Sequence, residues 1–348
     1  MRRILAVAFV AALASPLLLA APPPQGPQWT RVAAQVSPSA REGQAAAFDP
    51  VSGTMVIFGG DGMQGYLNDT WAFNGTSWSQ VATATAPPPR TAAGMAYDEV
   101  SGQLVLFGGY NGSSWLGDTW TYDGATQTWT EETPSASPAP ATGAGLFTDP
   151  ATGHVISFGG YAPPFYDLET WEWTGSDWVQ LDPTTVPSAR ASAAISFDEA
   201  NDDVVMFGGL GSVNTYNTWT WDGTDWNFVF ASPQPPNRSG SAAAWSPVLG
   251  KVVMFGGFAG QEANDTWTWD GSTWEQLSLR RAPSAREAHS MVLFPSTGKI
   301  ILFGGFNGRR YFSDTWAFGP RPTHTLPSRT GGVIDSSLAT SRSGSLGR

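Results

Sequence analysis

The chain has 348 residues, 18 Lys+Arg against 29 Asp+Glu (net −11), 40 Gly, 27 Pro, 17 Trp and no Cys. Its acidic balance argues against a nucleic-acid partner, whose phosphates would repel it, and the missing Cys excludes disulfides, thiolate metal sites and a Cys nucleophile. A hydrophobic content of 41% supports a buried core, while the Gly and Pro punctuation points to short strands and turns instead of long helices.

Arg2 and Arg3 precede an apolar stretch from Ile4 to Ala21, the pattern of a secretory signal over residues 1–21. Cleavage fits either Ala12-Leu13-Ala14 or the Ala20-Ala21 step before Pro22. Pro16 interrupts the run, which favours secretion over a membrane anchor. No later segment reads as a span, so no stable membrane insertion is expected after signal removal.

The middle of the chain repeats. Phe-Gly-Gly begins at Phe58, Phe107, Phe158, Phe207, Phe255 and Phe303, in steps of 49, 51, 49, 48 and 48 residues. A second marker follows each: Asp69-Thr70-Trp71, Asp118-Thr119-Trp120, Glu169-Thr170-Trp171, Asn217-Thr218-Trp219, Asp265-Thr266-Trp267 and Asp314-Thr315-Trp316. A third is a later Trp, at Trp78, Trp129, Trp178, Trp226 and Trp274. Each unit reads as four strands: one rich in small residues, one strongly apolar, the Thr-Trp strand, and one starting at the later Trp. Asn74-Gly75, Asp123-Gly124, Asp222-Gly223 and Asp270-Gly271 read as tight hairpin dipeptides between the third and fourth strands. Four-stranded sheets repeated radially make a β-propeller.

The sixth unit lacks the later Trp and a fourth strand. Trp29 precedes Phe58 by 29 residues, as Trp78 precedes Phe107. Trp29-Thr30-Arg31-Val32 is therefore expected as the outer strand of the last blade. The expected fold is all-β: a six-bladed β-propeller of four-stranded antiparallel blades over residues 27–319, closed by this N-terminal strand. Residues 320–348, rich in Ser and Arg, read as a disordered tail.

With the Gly-Gly doublet after an apolar strand and the aromatic-spacer-Trp pair, the chain resembles the kelch-repeat family over about residues 27 to 319. The family spacing survives in Tyr122 and Trp129, and the other pairs are two residues shorter, which keeps side chains on their faces. The family spans adaptors, lectin-like binders and a few enzymes, so the resemblance implies fold more than function. Kelch-type copper radical oxidases need a Tyr–Cys crosslink, which a Cys-free chain excludes. His154, His289 and His324 are scattered, so no metal and no cofactor are expected.

Five units place an Arg 17 residues before the Phe: Arg41, Arg90, Arg190, Arg238 and Arg286, with Ala141 in the third. These links share a face with the loops after Gly-Gly, because strands alternate direction. One reading is a broken ring of guanidiniums around the channel mouth, suited to anions; in kelch proteins that recognise acidic peptides, arginines in similar positions line the mouth. The other, which repetition favours, is local pairing with the acid of Asp-Thr-Trp. The irregular loops of that face carry Trp115, Tyr166, Tyr216, Arg310 and Tyr311, residues suited to peptide or sugar recognition. Without leader and tail the propeller holds 12 basic and 28 acidic residues, so acids occupy that face too.

The expectation is a secreted, monomeric, non-catalytic interaction module that recognises an acidic peptide, protein or glycan. The alternative is a secreted carbohydrate-active enzyme, an epimerase or lyase, which needs an unpaired acid or Tyr among convergent arginines.

Overall fold

The computed structural model describes residues 26–213 and 215–320. The leader expected at 1–21 lies outside them, as does the tail apart from Pro320. The described residues form strands and turns without helix, so none of them forms a helix long and apolar enough to cross a membrane. Their main sheets are four-stranded and antiparallel, an all-β architecture consistent with a propeller.

The first unit shows the plan. Ala45–Asp49 pairs with Thr54–Phe58, which pairs with Thr70–Phe73, which pairs with Trp78–Val81. Units starting at Gly94–Asp98, Gly145–Thr148, Ala194–Asp198 and Ala242–Ser246 repeat it. The small residues of the innermost strand allow close approach: it touches its counterparts in the units before and after, and Ser290–Phe294 touches Ala45–Asp49. In the last sheet, Ser290–Phe294, Lys299–Phe303 and Thr315–Gly319 are joined by Gln28–Val32, with Trp29 opposite Phe318.

Three sets of contacts link each unit to the next. The later Trp donates its indole N–H to the Thr of the previous unit's Asp-Thr-Trp: Trp129 to Thr70, Trp178 to Thr119, Trp226 to Thr170 and Trp274 to Thr218, at 2.8–3.1 Å. Trp29 donates to Thr266 and Trp78 to Thr315 in the same way, at 3.0 and 2.9 Å. The same six Trp rings pack on the Phe of the previous Phe-Gly-Gly, with centroids 4.8–5.5 Å apart. Such an aromatic pair adds about 1 kcal/mol beyond its buried area.

The third set is a head-to-tail ring of backbone hydrogen bonds. Ala92 N–H donates to Gly43 O, Gly143 to Ala92, Ser192 to Gly143, Gly240 to Ser192, Ala288 to Gly240 and Gly43 to Ala288, all at 2.7–2.9 Å. All six residues sit at φ between 51° and 67°. That region suits Gly, and each of Ala92, Ser192 and Ala288 is strained there by about 1 kcal/mol.

The Gly-Gly doublet is needed where units meet. A Cβ on Gly59 would lie 2.6 Å from the carbonyl oxygen of Arg90. The hairpin dipeptides correct one expectation. Asn74 to Ser77 is a four-residue connection in which Asn74 Oδ1 accepts the N–H groups of Thr76 and Ser77, and Asp222 and Asp270 do the same. In the second unit two extra residues move the left-handed position from Gly124 to Gln127.

Candidate functional site

The five link arginines lie beneath the surface, each at most 2% exposed. Four are clamped. Arg41 pairs with Asp69, Arg90 with Asp118, Arg238 with Asp265 and Arg286 with Asp314, at 2.6–2.7 Å. Each pair is bidentate, and each Nη1 also donates to the carbonyl of the first Gly of the doublet, at 2.8–3.0 Å. The indole of Asp-Thr-Trp donates to the same Asp at 2.7 Å. Burial works against each carboxylate's charge. The Arg hydrogen bonds and charge, with the Trp N–H, overcome it and hold each Asp below the ordinary carboxylate range.

These guanidiniums serve the fold, as the local-pairing reading expected, and do not line an open mouth. Asp-Thr-Trp is thereby explained residue by residue: Asp binds Arg and its own indole, Thr receives the next unit's indole, and Trp completes the acid's shell. Thr stands in all six copies of the marker, a repetition that signals this shared role.

Two units depart from the clamp. In the fourth, Asn217 replaces Asp and accepts the Trp219 indole at 3.1 Å. Arg190 donates instead to the carbonyls of Ser188 and Gly208 and to the Ser188 hydroxyl, and burial lowers its pKa to about 10. In the third, Ala141 replaces Arg while Glu169 remains.

At the rim of the same face the residues following the six link positions (Ala141 in the third unit) pair with those following Gly-Gly: Glu42 with Asp61, Thr91 with Tyr110, Thr142 with Tyr161, Ala191 with Leu210, Ser239 with Phe258 and Glu287 with Phe306. An outer row follows, in which Tyr66 pairs with Asp61, Trp115 with Tyr110, Tyr166 with Tyr161, Glu262 with Phe258 and Tyr311 with Phe306. The aromatic members stack: Tyr110 on Trp115 at 5.1 Å, Tyr161 on Tyr166 at 4.6 Å, Phe306 on Tyr311 at 4.9 Å, and Tyr66 edge-on to Tyr110 at 5.9 Å.

This rim is therefore aromatic and, in the first, fifth and sixth units, acidic. Burial, then Glu287 and Asp61, push the Glu42 carboxyl up to about 7. Burial and Glu262 raise Glu287. Tyr311 donates its hydroxyl to Asp61 at 3.1 Å, and burial with the surrounding acids raises its pKa. Mutual proximity of like charges is the common cause besides desolvation.

Of the aromatic and basic loop residues singled out in the sequence, Trp115, Tyr166 and Tyr311 join this rim. Arg310 is exposed above Phe312, at 5.0 Å from its ring, and Tyr216 is exposed beside the outer strand of the fourth unit. Glu42, Asp61, Glu262 and Glu287 were not singled out. Two of them follow a link Arg, and that position, varied among units, was the readable signal. His289 is buried, and desolvation followed by the Arg286 charge lowers its pKa to about 3, so it stays neutral. Among the described residues no group of three or more His, Asp or Glu side chains is arranged to hold a metal ion.

Residues 24–209 match the family model of the KLHDC2/KLHL20/DRC7 Kelch-repeats domain. A comparison with curated proteins gives no match. With the family model covering more than half of its length, and the repeated doublets and Trp contacts in register, the chain belongs to the kelch-repeat family.

Proposed function

We propose that the chain is a secreted kelch interaction module whose acidic and aromatic mouth binds a basic segment of another polypeptide. The six four-stranded sheets are the blades of one closed propeller over residues 27–319, with Gln28–Val32 as the outer strand of the last blade. The ring of backbone hydrogen bonds through Gly43, Ala92, Gly143, Ser192, Gly240 and Ala288 supports that closure.

The observation that carries the ligand's charge is the meeting of Glu42, Asp61 and Glu287 at the mouth, while four of the link arginines are neutralised below it. The expected ligand sign therefore reverses, from acidic to basic. Tyr66 and Tyr311 lie beside Asp61, and Tyr110 and Trp115 extend the aromatic row from Tyr66; ring faces attract cations within about 6 Å. Kelch domains act generally as protein-interaction modules, which fits this chemistry. Convergent arginines around an open acid, which the enzyme alternative requires, are replaced here by carboxylates among tyrosines.

The test is an array of basic, acidic and neutral peptides probed with the full chain. Basic peptides are retained, and Glu42→Gln with Glu287→Gln weakens them by about tenfold. A bound cation draws the Glu42 proton off, so affinity rises with pH through 7, by about fivefold between pH 6 and 8. Retention of acidic peptides, or an unchanged double variant, contradicts the proposal.

A further inference from the structure

The third unit has lost its arginine but kept its acid. In the second unit Arg90 donates Nη1 and Nη2 to Asp118 at 2.7 Å, Nη1 to Gly108 O at 3.0 Å and Nε to Pro88 O at 3.0 Å. The third unit's counterparts are Glu169, Gly159 and Ala139, and the place of the side chain is held by Ala141. A cavity of about 320 Å³ opens there, lined among others by Ala139, Ala141, Phe165, Tyr166, Asp167 and Glu169.

The Trp171 indole donates to Glu169 at 2.9 Å, as the equivalent indoles do in the clamped units. No cation lies within ion-pair distance of Glu169 among the described residues. Asp167 adds a second carboxylate, fixed by the N–H groups of Leu168 and Glu169 at 2.7 and 3.0 Å. Phe165 is 75% exposed at the cavity's edge, where a guanidinium plane can stack on it.

We propose that this vacated slot is a binding site for a guanidinium, supplied by an arginine side chain of a partner polypeptide. The molecule itself specifies the occupant, since four other units fill the same slot with a guanidinium paired to an acid. Bidentate geometry favours Arg over Lys. The site is separate from the carboxylates of the mouth and does not depend on that reading.

The test uses the full chain and three probes: the N-acetyl amides of arginine, lysine and citrulline. Ligand-observed NMR reads binding, and thermal shift reads stabilisation. The arginine probe binds at least about fivefold tighter than the lysine probe, and the citrulline probe does not respond. Ala141→Arg restores the clamp in cis, raises Tm without probe and abolishes the response. Glu169→Gln weakens it at least tenfold and keeps the test intact should Ala141→Arg misfold. All of these responses are read in the Glu42→Gln, Glu287→Gln background, which removes cation binding at the mouth; the arginine preference persists there, which separates this site from the mouth. The chain's own Arg321, Arg329, Arg342 and Arg348 are a second source of the group. With these four changed to Gln, a partner-filled slot responds as before, whereas a stronger response shows the slot filled by the chain's own tail and overturns the partner assignment. Equal binding of the arginine and citrulline probes, or Glu169→Gln responding like the parent, overturns it.

Discussion

Four units of this chain close the Arg–Asp clamp, and two leave it half made. The first, second, fifth and sixth hold a buried guanidinium against a carboxylate. The fourth keeps Arg190 without the acid, and the third keeps Glu169 without the arginine. The surrounding frame is the same in all six, because each later Trp reaches the previous Thr whether or not the clamp is complete. The clamp therefore reinforces a fold that the Trp–Thr contacts already set. Where it lapses, the slot can serve another purpose.

Breaking a complete clamp is the largest effect in prospect. Arg90→Ala strands Asp118 beside the emptied slot and lowers stability by about 3 kcal/mol or more, read by urea denaturation. Its loss is greatest near neutral pH. The Asp118 pKa is lowered in the folded state, so the clamp's contribution is full above the unfolded carboxylate value and fades as pH falls through the folded one.

Completing the fourth clamp works in the opposite direction. Asn217→Asp gives Arg190 the carboxylate that its counterparts have and keeps the acceptor for the Trp219 indole. It should raise stability by about 1–2 kcal/mol, and the gain should vanish in an Arg190→Ala background.

The smallest effect concerns the backbone ring. Ala92→Gly and Ala288→Gly relieve left-handed strain and should each add about 0.5 kcal/mol, since the extra freedom of Gly in the unfolded chain offsets part of the gain. The same change at Ala93, outside that conformation, should destabilise.

The fold was legible because its contacts are repeated as residues. Phe-Gly-Gly, Asp-Thr-Trp and the later Trp each recur, so their register set out the four-stranded units, and the Gly-Gly doublet with its aromatic-spacer-Trp pair carried the resemblance to the family. The site was legible in part. The face and its aromatic rim could be read from irregular loops, as with Tyr166 and Tyr311. The charge that the mouth presents could not. Whether Arg90 faces solvent or Asp118 depends on how two links close over one loop, and spacing along the chain does not encode that distance. Ala141 likewise read as a gap in a ring of arginines, whereas folding turns it into a cavity beside Glu169.

The equivalence of the six slots rests on the proposed circular frame, closed where the leading strand pairs with the last sheet. A cysteine-free chain allows a clean test. Thr30 and Ala317 are register partners across that seam, so Thr30→Cys with Ala317→Cys should form a disulfide on mild oxidation, seen by intact mass and peptide mapping. Thr30→Cys with Phe318→Cys, slipped by one residue onto the opposite face, should keep both thiols free. Free thiols in the folded first pair would contradict the closed frame.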